Sequence, residues 1–163
     1  MPPRSSHILL SLPFLLAPLL ATGALAQSAG FTGLDGDWRG GGTLQHGNGL
    51  TERIRCEASY RVSSPEKLRQ SLRCRSDQSQ FSLATNLSLS GREIFGDWSE
   101  TTRNARGSLR GRFSPGVIQG QVDGTGFSAN VTIRFAGNQQ NVAIRSAGTE
   151  MTTLNMVLTR AGR

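Results

Sequence analysis

From Trp38 to Leu158 apolar residues return at almost every second position, and turn-forming residues interrupt them roughly every eight to twelve positions. Successive side chains of an extended strand point to opposite faces, so this period gives each strand one apolar and one polar face. Short strands so evenly punctuated predict an all-β domain. The expected architecture is a single antiparallel meander of roughly eight to ten strands, closed or strongly coiled into a barrel. The first strand starts at Trp38, and the last runs through Leu154, Met156 and Leu158.

Small residues sharpen that expectation. Gly96, Gly111, Gly120 and Ala129 each lie in the middle of an alternating segment. Consecutive hairpins in the simplest apolar register would line these four up as one cross-strand row. Ile94, Phe113, Ile118 and Val131 would form the row on one side, and Trp98, Leu109, Val122 and Phe127 the row on the other. A row without side chains lets a sheet coil sharply or leaves room for something against it.

Several turns carry their own register. Ser90-Gly91-Arg92-Glu93 places glycine at the first central position of a two-residue hairpin, the type II′ preference, and aligns Leu89 with Ile94 and Thr85 with Trp98. Gly137-Asn138 closes another hairpin and pairs Ile133 with Val142. Ser64-Pro65-Glu66 reads either as a helix start, with serine as N-cap and proline at N1, or as the tip of a hairpin. The hairpin accounts for more. It opposes Val62 to Leu68, Ala58 to Leu72 and Cys56 to Cys74, and it gathers Arg53, Arg55, Arg61, Arg69, Arg73 and Arg75 on the other face.

Residues 1–26 read as a secretory signal peptide, with Arg4 in the n-region, a proline-interrupted apolar stretch and an Ala24-Leu25-Ala26 cleavage site. The expected location is therefore periplasmic or secreted. Residues 27–36 read as a small flexible leader, and residues 37–163 as one barrel-like domain. Two cysteines in an exported chain suggest the Cys56–Cys74 disulfide. His46 is the only histidine beyond the signal segment, so no metal site and no cofactor are expected.

The chain carries a formal net charge of +7, and all of its basic residues but Lys67 are arginine. That balance favours contact with anionic surfaces. Nucleic acid is not an expected partner, because no exposed aromatics interleave with the arginines. There is no G-x-S-x-G, no phosphate-cradling loop leading into a helix, and His46 sits in a turn-like His46-Gly47-Asn48-Gly49. Of the carboxylates, Asp37, Asp97 and Glu100 offer only the pairs any all-β domain with eleven acids offers. The expectation is that the protein is not an enzyme.

Gly36-Asp37-Trp38 opens the first strand, and Arg160 ends the last on the parity that brings it beside Trp38. This resembles the G-x-W and terminal-arginine pairing of the calycin superfamily, the lipocalins and their relatives. That likeness implies a barrel whose interior holds an apolar small molecule. Leu72-Arg73-Cys74, Gly96-Asp97-Trp98-Ser99-Glu100 and Gly124-Thr125-Gly126-Phe127 also resemble a group of small exported Gram-negative bacterial proteins of no assigned function.

Two functions follow as expectations. One is an exported or envelope-associated binding module that is not membrane-spanning and holds a small apolar ligand, with Trp98, Leu109, Val122 and Phe127 lining the cavity. The other is an interaction protein that sets Arg55, Arg61, Arg69 and Arg75 against an anionic envelope lipid or a partner protein.

Overall fold

A computed structural model describes residues 30–162. The signal segment and the first residues of the leader lie outside that range. Ten strands follow one another: β1 (Gly36–His46), β2 (Thr51–Ser64), β3 (Lys67–Arg75), β4 (Gln80–Ser90), β5 (Glu93–Glu100), β6 (Ala105–Ser114), β7 (Val117–Gly124), β8 (Phe127–Ala136), β9 (Gln139–Ala147) and β10 (Met151–Arg160). Each pairs antiparallel with its neighbours in sequence, and β1 pairs with β10, so the sheet closes into a barrel without edges.

The period-two pattern sorts the faces. In β2, Ile54, Cys56, Ala58 and Tyr60 are buried inside, while Arg53, Arg55, Glu57 and Arg61 stand exposed outside. An outward face this charged is the reverse of a membrane-spanning barrel, whose lipid-facing band is apolar. Among the described residues no helix is long and apolar enough to cross a membrane.

The hairpin reading of residues 51–75 holds. Cys56 is paired with Cys74, Ala58 with Leu72 and Val62 with Leu68, and the two cysteines are bonded. Leu89 opposes Ile94, Thr85 opposes Trp98, and Ile133 opposes Val142. Gly91 has a φ of +60°, as the first central residue of a II′ turn requires.

Two other hairpins sit two residues away from the expected register. Trp98 opposes Gly107 rather than Leu109, and Gly96 opposes Leu109. Val122 opposes Ala129 and Gly124 opposes Phe127. Only Gly111 and Gly120 of the anticipated row face each other. A Cβ on Gly111 would lie 2.2 Å from the Gln119 carbonyl oxygen, so that crossing brings backbone against backbone.

One end of the barrel is plugged by the segment expected to be a flexible leader. Residues Gly30–Leu34 form a 3-10 turn in which Phe31 and Leu34 are 0% exposed. A 3-10 repeat of three residues sets these two side chains on one side, and they bury into the lumen. Phe31 packs edge-on to Phe113 with centroids 6.0 Å apart. Its N–H donates to the Pro65 carbonyl at 2.9 Å.

The strand ends clamp the plug. Trp38 Nε1 donates to the Leu34 carbonyl at 2.8 Å, and Arg160 donates to the carbonyls of Gly33 and Asp35. Arg160 opposes Trp38 in the ladder, with its guanidinium carbon 4.3 Å from the indole centroid. Such a stack contributes on the order of 1 kcal/mol.

A candidate ligand-binding mouth

The opposite end carries no plug among the described residues. It is ringed by the turns after β1, β3, β5, β7 and β9. In the half of the lumen beneath them, Leu83, Val122, Phe127, Val131 and Ile144 all hold inward register positions, yet each remains only half-buried. A side chain that points inward meets solvent at the mouth or through the lumen, and Leu83, Val122, Val131 and Ile144 also pack against the core. This end of the barrel is therefore apolar and less tightly covered than the plugged end, which is filled by Phe31, Leu34, Trp38, Tyr60 and Leu158.

All four residues expected to line a cavity hold inward register positions near this end, in a different arrangement and with Trp98 and Leu109 themselves buried. Trp98, Gly107, Gly124 and Phe127 form one continuous cross-strand row. The two glycines give the aromatics room to meet edge-on at 5.3 Å, and Trp98 Nε1 donates to the Asp123 carbonyl at 3.2 Å. A Cβ on Gly124 would fall 2.5 Å from Phe127 Cε1 and 2.9 Å from Trp98 Cζ2. Much of the space the glycines free is thus taken up by Trp98 itself. Leu109 and Val122 oppose each other one row deeper.

The rim holds a polar cluster that sequence reasoning missed. His46 was expected on an exposed loop, but it ends β1 with its side chain mostly covered, and its Nε2 donates to Glu52 Oε1. The Glu52 side chain is only 7% exposed and also accepts from the Ser79 hydroxyl at 2.7 Å and from the Ser76 hydroxyl. One carboxylate therefore ties the β1–β2 hairpin to the β3–β4 turn. It stands between the serines and the histidine, so no serine is set against a histidine base as nucleophilic catalysis would need.

The Ser76 and Ser79 hydroxyls hold the Glu52 carboxyl below the usual range, burial opposes them, and His46 adds to the lowering. A carboxyl held low in the folded state contributes stability that is present above its unfolded pKa and lost as pH falls through the folded one. Urea midpoints of the wild type should accordingly fall on acidification below about pH 4.3. In Glu52→Gln that fall should be shallower and the neutral-pH midpoint lower. Parallel pH profiles of the two proteins would refute the assignment.

Asp97 and Glu100 do not form a catalytic pair. Asp97 is exposed outside, where it accepts from Asn86 at 2.8 Å, whereas Glu100 faces in. Burial would raise the Glu100 pKa, but bonds from the backbone N–H groups of Ser82, Thr102 and Arg103 outweigh it, and the carboxylate caps the β5–β6 turn.

Outside, the arginine face forms as expected. Arg55 opposes Arg75, Arg61 opposes Arg69, and all four are exposed. Arg61 is neutralised, since it pairs with Asp37 at 3.1 Å beside a concavity of about 370 Å³ lined by Asp35, Arg61 and Arg69. A second outer groove of about 330 Å³ crosses β8, β9, β10 and β1, where Gly41, Thr43, Thr132 and Ala143 keep the surface low.

No family model and no curated protein matches the chain. Solved structures do. An S-type phycobiliprotein lyase, CPES, from Guillardia theta matches with a TM-score of 0.62 and 13% identity, over 82% of this chain and 91% of the other. Rv2717c from Mycobacterium tuberculosis matches with a TM-score of 0.63 and 15% identity, over 81% and 95%. EF1p2_mFAP2b bound to DFHBI matches with a TM-score of 0.52 and 11% identity, over 83% and 100%. At such identities the likeness establishes the fold alone, a closed antiparallel barrel of ten strands. It also corrects the expectation that the chain is not an enzyme: one barrel of this fold is a lyase, so the architecture does not separate catalysts from binding modules.

Proposed function

We propose that this is an exported calycin-like barrel that takes a small apolar molecule into the mouth end of its lumen, against Trp98, Leu109, Val122 and Phe127. The observation that carries this reading is the set of inward-facing apolar side chains that stay solvent-accessible. Burying them against an apolar ligand is favourable at about 25 cal/mol per Å². The structural likeness to a barrel that binds the small molecule DFHBI supports it. Export is supported by the Ala24-Leu25-Ala26 cleavage pattern and by the disulfide, a bond that persists in oxidising compartments.

The test is titration with N-phenyl-1-naphthylamine, an uncharged dye that brightens in apolar surroundings. Wild type should enhance its emission. Val131→Trp and Ile144→Trp, which fill the lumen, should weaken binding roughly tenfold or more. Asn130→Trp, on the outer face of the same strand as Val131, should bind like wild type. A lumen-filled variant that folds and still binds as wild type does would overturn the reading.

A further inference from the structure

The arginines of the β2–β3 hairpin divide into two sets once their partners are known. Near the plugged end Arg61 is tied to Asp37, and Arg69 lies opposite it, exposed and without an ion pair among the described residues. Toward the mouth, Arg53, Arg55, Arg73 and Arg75 are all exposed, and among the described residues none has an ion-pair partner. Arg55 and Arg75 are directly opposed in the ladder. The carboxylate opposite Arg73, Glu57, lies 4.0 Å from Arg39 instead. Like charges placed directly across a pair of strands are destabilising unless something screens them.

We propose that this set docks the barrel onto an anionic bilayer, with phosphate-bearing headgroups against Arg53, Arg55, Arg73 and Arg75 and the mouth turned toward the membrane. Position gives the orientation. Arg53 and Arg55 lie in the first residues of β2, and Arg73 and Arg75 end β3, so all four flank the open end. Leu50, which immediately precedes β2 on the same rim, is 39% exposed and is the apolar group that would enter the interface.

The surface chemistry selects a headgroup layer over a shaped protein partner. The outward positions of β2 and β3 carry arginine, glutamate, lysine, serine and threonine, with no aliphatic or aromatic side chain among them. A protein interface draws its affinity from buried anchors, chiefly aromatic. A fluid phosphate surface needs only charge, and arginine suits phosphate through its forked donors. Docking does not depend on whether the lumen is loaded.

Flotation with phosphatidylglycerol–phosphatidylcholine vesicles at low ionic strength tests this. Wild type should float with mixed vesicles and not with phosphatidylcholine alone, and added salt should release it as the screening length falls below about 10 Å. Each basic residue near such a surface contributes about fivefold in affinity, so replacing Arg53, Arg55, Arg73 and Arg75 with Gln should cost on the order of several hundredfold. Replacing Arg106, Arg110, Arg112 and Arg134 with Gln changes the net charge equally and should leave most of the binding. Equal loss in both quadruple variants would overturn the proposal in favour of net charge alone. Failure of wild type to float would also overturn it. So would release by millimolar inorganic phosphate at constant ionic strength, which would assign the face to a soluble anion. Circular dichroism of both variants shows whether the barrel is retained.

Discussion

Replacing Phe31 with Ala should cost the protein about 3–5 kcal/mol, as truncation of a buried phenylalanine does. The ring is 0% exposed, lies edge-on to Phe113, and closes the end of the barrel opposite the mouth. Its truncation leaves a void under a segment that is also tied by the burial of Leu34, the Trp38 and Arg160 hydrogen bonds and the Phe31–Pro65 backbone contact. Gly30 brings the chain in at a φ of +71°, with its backbone close against the Pro65 carbonyl. Urea unfolding should show the loss, and Phe31→Leu should recover most of it. A Phe31→Ala protein within about 1 kcal/mol of wild type would mean that the plug is not part of the cooperative core.

The plug also shows where local pattern stops being informative. A five-residue turn with two apolar side chains has no room for the repeats that identify a helix, and Gly30 and Gly33 give it the composition of a linker. The one usable signal was the spacing of Phe31 and Leu34, three apart, which matches a single 3-10 turn. What buries them is a cavity at the end of the barrel, made by strands far along the chain. No reading confined to neighbouring residues could supply it.

Strand register failed for a different reason. A slip of one residue turns every side chain to the wrong face and is excluded by the apolar pattern, but a slip of two preserves both faces. The β2–β3, β4–β5 and β8–β9 pairings were legible because a cysteine pair or a tight glycine turn pinned them. The β5–β6 turn is held by Glu100 accepting backbone bonds and by Asn104 at a φ of +52°, and the β7–β8 turn by Gly126 at +80°. Composition alone did not reveal those devices. The four lumen residues therefore came out on the correct face with different neighbours, and Gly107 went unnoticed as the partner of Trp98. The Glu52 cluster was hidden for the same kind of reason. His46, Glu52, Ser76 and Ser79 come from two separate hairpins and share no motif.

Removing the disulfide, by Cys56→Ala with Cys74→Ala, should cost about 3 kcal/mol. The bond closes a loop of 18 residues in sequence, and the chain-entropy relation gives about that value for so short a loop. Both cysteines are buried inside the barrel, where alanine leaves no polar group unpaired. At a urea dependence of roughly 1.5 kcal/mol per molar, the midpoint should fall by about 2 M. The single variants separate the bond from side-chain packing. Once either cysteine is replaced the cross-link is already gone, so each single variant should show most of the loss and the second substitution should add little. Strict additivity of the two singles would assign the effect to packing. An unchanged midpoint in the double variant would show that the β2–β3 hairpin is held by its ladder and core contacts alone.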